Sequence, residues 1–458
     1  MTLRVLLVEP PKKPWELLGE SVMPPLGLAY VAASLRESGF KVDILDCTAL
    51  KLTWREIESE IRRRKPDVVG VGAITCYSKL ALRVARVAKE IDSSIVTIGG
   101  GPHFSAMPEE ALSGGIDYVV IGEGEVTAPE LLKALEEGHD PAGVRGVAFT
   151  REGEVFRTEL RPLVEDLDTI PMPALDLLPM DRYRLVAWGR RVMIQVSSRG
   201  CPFKCTFCSE RVFWRGVWRP HSAKRVVDEM ELLKERYGRD VIWFGDDTFN
   251  VSRRRVAEIC REILDRRLDV SWGFEGRADL MLRDLDMLPL MKKAGLFWVL
   301  MGVEAASDME LSEMRKGMRI ADVRRVFRAL RESDIITQAM FIVGAPWDTR
   351  ESIRAKLKLA LELNPDFAIF TPFTPLPGTE AYEQAAREEL LVESDPEKYD
   401  FAHFVAKTRH LDVSELRKLR SECYRAFYRR AWRAVRSLVS RNRFRRQLAW
   451  YFVKRFIL

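Results

Sequence analysis

The sequence has few cysteines and no long hydrophobic run, and each shortage argues against a class of protein. No apolar stretch among its 458 residues reaches the ~20 residues that span a bilayer, so we expect no transmembrane helix. Seven cysteines, an odd number in a long chain, argue against the disulfide framework of a small secreted protein. Met1–Arg4 leads straight into a buried-strand pattern at Val5–Val8, so we expect no signal peptide and a cytoplasmic location.

Apolar strands alternate with amphipathic helices over the first 145 residues. The predicted strands are Arg4–Val8, Lys41–Asp46, Val68–Gly72, Ser94–Gly99 and Tyr118–Ile121. Continuous apolar strands separated by helices predict an α/β domain with a parallel, doubly wound, Rossmann-like sheet. Ligands of such sheets bind at the carboxyl ends of the strands, where this sequence has glycine-rich turns.

A second series of strands and helices follows a proline-rich connector at residues 146–190. Its predicted strands are Met193–Ser197, Val241–Phe244, Ser271–Glu275, Trp298–Val303, Thr337–Val343 and Asp366–Thr371. Six β/α units predict a partial (β/α)6 barrel over residues 191–390, with its site at the carboxyl ends of the strands. Residues 391–458 are predicted to form a helical, basic extension.

Three closely spaced cysteines are the most specific chemical feature. Cys201, Cys205 and Cys208 follow the first predicted barrel strand in a C-x3-C-x2-C arrangement, which places them on a loop at the carboxyl end of the barrel. Cysteine thiolates ligate iron–sulfur clusters, and three of them leave one iron of a cubane open to another ligand. The alternative is a structural zinc site, which needs a fourth ligand such as His221.

This motif and the strand ends that follow it resemble the radical S-adenosylmethionine (SAM) superfamily. Between residues 190 and 385 the family's motifs occur in order, at Cys201–Cys208, Trp243–Phe249, Gly273–Arg277, Gly302–Ser307 and Ile342–Pro346. The resemblance implies a [4Fe-4S] cluster that binds SAM. With one electron from a donor such as ferredoxin or flavodoxin, SAM is cleaved to methionine and a 5′-deoxyadenosyl radical. It implies SAM-facing positions for Phe207, Asp246, Asp247, Arg277, Gly302, Glu304, Ser307, Gly344 and Pro346.

Several of these strand-end residues, taken alone, also have a structural explanation. Asp246 and Asp247 would serve equally as helix N-caps. Gly302 and Gly344 would serve as packing glycines of a barrel, and Arg277 as one half of a surface ion pair. Their joint occurrence at successive strand ends favours the SAM site.

Residues 1–145 resemble the cobalamin-binding domain that precedes the barrel in one radical SAM subfamily. The resemblance implies cobalamin contacts at Pro25, Gly27, Thr75, Gly100, Gly101, Pro102, His103, Gly122, Glu123, Gly124 and Glu125. Many cobalamin proteins carry an Asp-x-His-x-x-Gly motif whose histidine ligates cobalt, whereas Asp46–Lys51 has no histidine. We therefore expect cobalamin without a histidine ligand. The alternative is a domain without the cofactor that serves in docking.

The last 48 residues are basic and rich in aromatic side chains. They contain fourteen lysines and arginines against Asp412, Glu415 and Glu422. A basic helix with aromatic anchors is typical of membrane-surface binding, so we expect residues 441–458 to contact an anionic membrane. The alternatives are helices that cover the barrel, which we favour up to about Arg436, and an RNA-binding tail. We expect no nucleic-acid partner.

With cobalamin present, the resemblance implies methylation of an unactivated carbon in a hydrophobic small molecule or lipid. The alternatives within the subfamily are ring formation, as in the anaerobic magnesium-protoporphyrin monomethyl ester cyclase, and another lipid modification. A tRNA methylthiotransferase would carry a second cysteine trio in its first domain, where this chain has only Cys47 and Cys76. A non-catalytic iron–sulfur module would not require the later strand-end motifs.

Overall fold

The structure is a computed structural model of the chain. It describes residues 2–12, 21–185, 192–429, 438, 440 and 442–456. The chain divides into two units, Met1–Arg184 with Val212–Arg215, and Leu185–Arg211 with Gly216–Leu458. None of the helices in the described ranges is long and apolar enough to cross a membrane.

Strands and helices alternate in both units, as predicted. The strands are β1 (Arg4–Glu9), β2 (Ser21–Val22), β3 (Lys41–Asp46), β4 (Val68–Gly72), β5 (Val96–Gly100), β6 (Tyr118–Val120), β7 (Val147–Arg151), β8 (Glu154–Arg157), β9 (Arg184–Leu185), β10 (Val192–Gln195), β11 (Ser198–Arg199), β12 (Arg219–Pro220), β13 (Val241–Phe244), β14 (Ser271–Gly276), β15 (Leu296–Glu304), β16 (Ile336–Val343) and β17 (Phe367–Pro372). The helices are α1 (Leu26–Glu37), α2 (Trp54–Arg64), α3 (Ser78–Ile91), α4 (Gly101–Ala106), α5 (Pro108–Ser113), α6 (Gly124–Glu137), α7 (Glu210–Phe213), α8 (Ala223–Tyr237), α9 (Arg253–Asp265), α10 (Ala278–Arg283), α11 (Leu288–Lys293), α12 (Asp308–Glu313), α13 (Ile320–Glu332), α14 (Arg350–Leu363), α15 (Glu380–Arg387), α16 (Val413–Tyr428) and α17 (Arg443–Phe456).

The first unit is built on a seven-stranded sheet in the order β3-β1-β4-β5-β6-β7-β8. The first five strands in this order are parallel, and β7 and β8 are antiparallel. The parallel part has the 2-1-3-4-5 order of doubly wound sheets, whose ligands bind where the winding reverses. Here that point is the carboxyl edge between β1 and β4, and the predicted Rossmann-like fold is confirmed.

A hairpin lies within the range that we predicted as a connector. Strands β7 and β8 pair around Glu152 and Gly153, whose φ angles are +53° and +86°. Two successive positive φ angles are typical of a type I′ turn, which suits the twist of a two-residue hairpin. Glu-Gly is a weaker turn signal than Asn-Gly or Asp-Gly, which explains why the sequence analysis missed these strands.

The second unit contains the predicted partial barrel. Its six strands are parallel, in the order β10-β13-β14-β15-β16-β17. Four of the six strands project aromatic rings into the surrounding core, and the rings are fully buried: Phe244, Trp272, Phe274, Phe341 and Phe370. Burying each such ring contributes about 1.5–3 kcal/mol, so the apolar strand pattern fixes which side chains face outward and which face the lumen.

The edge strand β17 is covered by α16. The hydroxyl of Tyr424 accepts a hydrogen bond from the Phe370 N–H at 3.1 Å, and Tyr428 donates one to the Ala368 carbonyl at 3.0 Å. Arg420 Nε donates to the Phe370 carbonyl at 2.8 Å. Side chains thus satisfy the polar groups of a strand that has no further partner. The first half of the basic extension is a barrel-covering helix, as we favoured.

The second half of the extension is partly docked on the second unit. Phe444 is 3% exposed and stacks on Phe297 with ring centroids 4.1 Å apart. Arg445 forms ion pairs with Asp366, at 2.7 Å, and with Asp334. These anchors dock α17 on the residues that precede β16 and β17.

Membrane contact by the extension therefore stays a proposal for fewer residues. Trp450 is 53% exposed. Arg441 and the side chains of residues 451–458, including Lys454 and Arg455, lie outside the part of the chain that the structure describes.

Candidate functional site

The three cysteines lie on the loop that follows β10 and β11. Cys205 is buried, and Cys201 and Cys208 are half-buried. Burial raises the pKa of the Cys201 thiol, and it raises that of Cys208 to about 12, with Glu210 and the other two thiols adding to the effect. The three sulfur atoms are therefore close enough to influence one another. Metal binding displaces such protons and places the ligands in their thiolate form.

Zinc ligation by these cysteines with His221 has no support in the geometry. Within the described ranges, no three or more His, Cys, Asp or Glu side chains are drawn together around one ion position. The cysteines of a cubane each bind a different iron atom, so they need not converge on one point. The main chain of His221 instead pairs with the strand that leads into the cysteine loop, its N–H donating to the Ser197 carbonyl at 2.9 Å.

A buried carboxylate fixes the start of the cysteine loop. Asp246, which follows β13, is 3% exposed. It accepts hydrogen bonds from the Ser197 N–H and Oγ, both at 2.6 Å, and from Ser198 Oγ at 2.5 Å. Burial raises the pKa of Asp246, and the charge of Arg255 opposes that rise. Both oxygen atoms accept hydrogen bonds within the protein, so Asp246 positions the loop, and it is not the N-cap of the following helix. A further contact of Asp246 with SAM stays a prediction.

The neighbouring acid, Asp247, also binds the cysteine loop, at the residue just before Cys201. Asp247 accepts a hydrogen bond from the Gly200 N–H at 2.8 Å. Thr248 Oγ1 lies 3.2 Å from Cys201 Sγ. The N-cap of the following helix α9 is Ser252, not either aspartate. The strand end after β13 therefore contacts the cysteine loop at successive residues.

Arg277 lies beside the cysteines and is not on the surface. Its side chain is 5% exposed and forms an ion pair with Asp279 at 3.0 Å. The guanidinium lies 3.6 Å from the ring centroid of Phe203, and Nη1 is 3.8 Å from Cys205 Sγ. A fixed cation at this distance stabilises negative charge on a thiolate or a cluster. The surface ion pair that we considered as an alternative is excluded by this burial.

A lysine that the sequence analysis missed joins the site. Lys316 is 8% exposed, and its ammonium donates to Glu304 Oε1 at 2.8 Å. It also lies 5.8 Å from the ring centroid of Phe207. A Cβ atom on Gly302 would lie 2.1 Å from Glu304 Oε1, so a larger residue there would require the carboxylate of this ion pair to move. Lys316 stands in a turn without a recognisable motif, which is why no pattern identified it.

The ends of β15 and β16, which carry predicted SAM-facing residues, are tied together by one buried lysine. Lys356 is fully buried on α14 and forms ion pairs with Asp348 and, at 3.2 Å, with Glu310. Asp348 accepts from the two N–H groups of Gly344–Ala345 at 2.8 and 3.1 Å. Glu310 accepts from the Ala306 N–H at 3.2 Å. One cation thereby sets the spacing of the ends of β15 and β16.

Three other predicted SAM residues have defined positions. Ser307 is the N-cap of α12 and exchanges hydrogen bonds with Glu310, at 2.9 Å through its hydroxyl. Phe207 packs against the cluster that includes Ile342 and Ala345, so the structure brings it to the end of β16. The Pro346 carbonyl accepts from the Arg409 N–H at 2.9 Å.

The carboxyl edge of the first unit's sheet combines glycine turns with accessible apolar side chains. Gly101 has a φ of +87°, and a Cβ there would lie 2.9 Å from the Ala73 carbonyl oxygen. Beyond the ends of β3, β4 and β6, Leu50, Ile74 and Val126 are 39%, 48% and 36% exposed. Exposed apolar side chains around glycine turns, where the backbone can approach a ligand closely, fit a large, flat, partly apolar ligand.

Comparisons with known proteins connect both units to one family. Residues 19–132 match the B12 binding domain, and residues 196–360 match the Radical SAM superfamily. An uncharacterized methyltransferase of Pyrococcus horikoshii, PH0819, is 36% identical over 93% of this chain and 93% of its own length. The anaerobic magnesium-protoporphyrin IX monomethyl ester cyclase of Rubrivivax gelatinosus is 34% identical over 88% of this chain and 74% of its own.

The chain belongs to the B12-binding radical SAM enzymes. Its cofactors are those of this family, a [4Fe-4S] cluster, SAM and cobalamin. The radical SAM methyltransferase TsrM of Kitasatospora setae, solved with cobalamin and a [4Fe-4S] cluster bound, has the same fold. Its TM-score is 0.71 at 23% identity, over 85% of this chain and 75% of that one.

Two predicted cobalamin contacts of this radical SAM enzyme are engaged within the first unit. His103 is buried, with Nδ1 at 3.3 Å from Thr75 Oγ1 and Nε2 at 3.0 Å from Glu110 Oε2. Glu123 accepts from the Val164 N–H at 2.8 Å. Both nitrogen atoms of His103 have protein partners, so the side chain links the Thr75 loop to Glu110, and its contact with cobalamin stays a prediction.

The remaining candidates lie at strand ends or at the starts of helices. Pro25 is the N-cap of α1 and Gly100 ends β5. The other candidates at helix starts or in the turn after β6 are Gly27, Pro102, Gly122, Gly124 and Glu125.

The position that holds histidine in many cobalamin proteins is filled by Thr48. Its hydroxyl donates to the Pro10 carbonyl at 2.8 Å and accepts from the Lys12 N–H at 2.9 Å. The preceding Asp46 accepts from the buried Tyr183 hydroxyl at 2.7 Å. Thr48 therefore ties this loop to the residues after β1, and the loop offers no imidazole to cobalt. This arrangement fits a cobalamin that is held by the glycine turns.

Cobalt bound by this chain should carry no protein nitrogen. We expect the Co(II) form of bound cobinamide, which lacks the nucleotide base, to show no nitrogen splitting in electron paramagnetic resonance. Splitting that disappears when the protein is labelled with ¹⁵N-histidine and is replaced by the ¹⁵N pattern would contradict this expectation.

Replacing Lys356 with Met should loosen both SAM-facing strand ends. The carboxylates of Asp348 and Glu310 would stay buried without their cation, and breaking a buried ion pair costs about 3–5 kcal/mol. We expect an earlier thermal unfolding in calorimetry and weaker SAM binding in equilibrium dialysis.

Lys358→Met, on the exposed side of the same helix, is the matched control for Lys356→Met and should change neither property. Equal unfolding midpoints and equal SAM affinities in the two variants would show that the buried lysine does not hold the strand ends.

Proposed function

We propose that this radical SAM enzyme is a cobalamin-dependent C-methyltransferase that acts on an unactivated carbon of a hydrophobic substrate. The family and the general activity follow from the two matched domains and from the methyltransferase relative that covers 93% of the chain. The nature of the substrate is supported by the inner face of the barrel.

One residue in each barrel strand stays accessible, while its neighbours in the strand are buried. The six accessible residues are Ile194, Trp243, Glu275, Leu300, Met340 and Thr371. In four of these strands, β13, β14, β16 and β17, the alternate positions carry fully buried rings of the outer core, and the strand register places all six accessible side chains on the opposite face, towards the lumen. Four of the six are apolar. This apolar lumen at the cysteine-bearing barrel is the observation that carries the proposal.

The chain's own residues hold, orient and shield the reactants. The thiolates of Cys201, Cys205 and Cys208 would hold the cluster, with Arg277 balancing its charge. Phe207 and the strand end secured by Lys356 would receive the adenine of SAM. When bound, the cluster supplies the electron for SAM cleavage, drawn from reduced ferredoxin or flavodoxin, and cobalamin carries the methyl group. An apolar lumen keeps water away from a radical.

Oxidative ring formation is the second candidate, favoured by the 34% identity to the Rubrivivax gelatinosus cyclase. The two reactions leave different products of SAM. Radical formation in either reaction releases methionine and, after hydrogen abstraction from the substrate, 5′-deoxyadenosine. Only the methyltransferase also uses a second molecule of SAM as its methyl source, and that molecule is converted to S-adenosylhomocysteine.

The distinguishing experiment measures both SAM products anaerobically, in reconstituted protein with reductant, with and without cobalamin. We expect 5′-deoxyadenosine together with S-adenosylhomocysteine, and we expect the latter only when cobalamin is bound. Formation of 5′-deoxyadenosine without S-adenosylhomocysteine in the cobalamin-loaded protein would reject the methyltransferase and support the cyclase.

A further inference from the structure

The inner face of the barrel carries a single ionisable side chain among its accessible residues. Ile194, Trp243, Leu300 and Met340 are uncharged, and the hydroxyl of Thr371 already donates to the Phe341 carbonyl at 3.1 Å. The exception is Glu275, near the carboxyl end of β14, and it belongs to the most exposed class of the six. The register of the sheet places it beside Leu300.

Glu275 is accessible but enclosed. Glu275 is exposed. Even so, the surrounding protein desolvates its carboxyl group, and this burial is the main reason why its pKa is raised to about 7. Both observations hold for a side chain that opens onto an internal lumen and not onto the outer surface. The raised pKa also reflects the like charges of Glu304 and Glu210, while the charge of Lys316 opposes it.

No hydrogen bond or ion pair joins the Glu275 carboxylate to another side chain within the described ranges. Lys316, whose positive charge acts on Glu275, donates to Glu304 at 2.8 Å. Arg277, two residues further along, is paired with Asp279 at 3.0 Å. A carboxylate that is partly desolvated and has no hydrogen-bonding partner costs free energy, which a cationic ligand would recover.

We propose that Glu275 recognises the substrate by binding an ammonium group, or another cationic nitrogen, at one end of an otherwise apolar molecule. The apolar part lies against Trp243, Leu300 and Met340. This proposal rests on the function proposed above and narrows its substrate class from hydrophobic molecules to amphipathic amines. Glu275 is then a specificity residue. The ammonium of SAM itself is the other source of the same chemistry.

A matched pair of probes separates charge recognition from apolar binding. Octylamine is protonated from pH 6 to pH 8, and octanol has the same chain without the charge. Their affinities for the anaerobically reconstituted holoenzyme, with SAM bound, are measured by equilibrium dialysis. The SAM affinity is measured in parallel without a probe.

Three variants test the residue. Glu275→Gln removes the charge in the lumen, and Glu275→Asp retains it. Glu235→Gln makes the same change at an exposed position of α8. Iron content and circular dichroism show that each variant is folded and loaded.

We expect the wild type to bind octylamine about tenfold more tightly than octanol at pH 8, as a charge-assisted hydrogen bond implies. The preference should shrink at pH 6, because the carboxyl of Glu275 is then mostly protonated. Glu275→Gln should abolish it at both pH values, Glu275→Asp should retain part of it, and Glu235→Gln should leave it unchanged. SAM affinity should be the same in all four proteins.

An octylamine preference that is absent from the wild type, or that survives in Glu275→Gln, would overturn the proposal. Loss of SAM affinity in Glu275→Gln would also overturn it, by assigning the carboxylate to SAM. Since the assay requires no methyl transfer, an octylamine preference without cobalamin-dependent S-adenosylhomocysteine would reject the proposed function and leave the recognition by Glu275 standing.

Discussion

The hydrogen bonds that the buried Asp246 accepts from Ser197 and Ser198 are the constraint on which the site depends. They join the end of β13 to the segment that leads into the cysteine loop. A carboxylate without solvent is costly unless its oxygen atoms are satisfied, and here Arg255 also supplies a nearby positive charge. The loop can therefore leave the barrel in only a narrow range of directions, which sets where three thiolates can meet one cluster.

Other buried charged groups also join strand ends around the opening of the barrel. Lys356 joins the ends of β15 and β16 through Asp348 and Glu310, and Lys316 pairs with Glu304 above Gly302. Replacing such buried pairs by apolar side chains is often neutral for stability. Their value here lies in geometry, because each pair holds backbone N–H groups or a strand end that would contact SAM. These costly buried charges lie at the carboxyl ends of the strands.

Much of the fold could be predicted from local patterns. Continuous apolar strands and the C-x3-C-x2-C spacing identified the sheet, the barrel and the candidate cluster. What the sequence did not indicate depends on tertiary contacts. Lys316 and Lys356 look like ordinary helical or turn lysines until folding buries them beside acids on other elements or loops. Phe444 and Arg445 looked like a basic, aromatic surface, because their partners Phe297, Asp334 and Asp366 lie more than seventy residues away. The hydrogen bonds from Asp246 to the cysteine loop were not predicted, because a strand-end position does not reveal which way a side chain points.

The most direct measurement of the central claim is anaerobic SAM cleavage together with iron content. The informative protein replaces Cys201, Cys205 and Cys208 with Ala, and its control replaces the solitary buried Cys260 and Cys423. If the loop holds the cluster, the control retains about four irons per chain and forms 5′-deoxyadenosine, and the triple variant does neither. Cleavage of SAM by a triple variant free of iron at this loop would contradict the assignment of the cysteine loop as the catalytic centre.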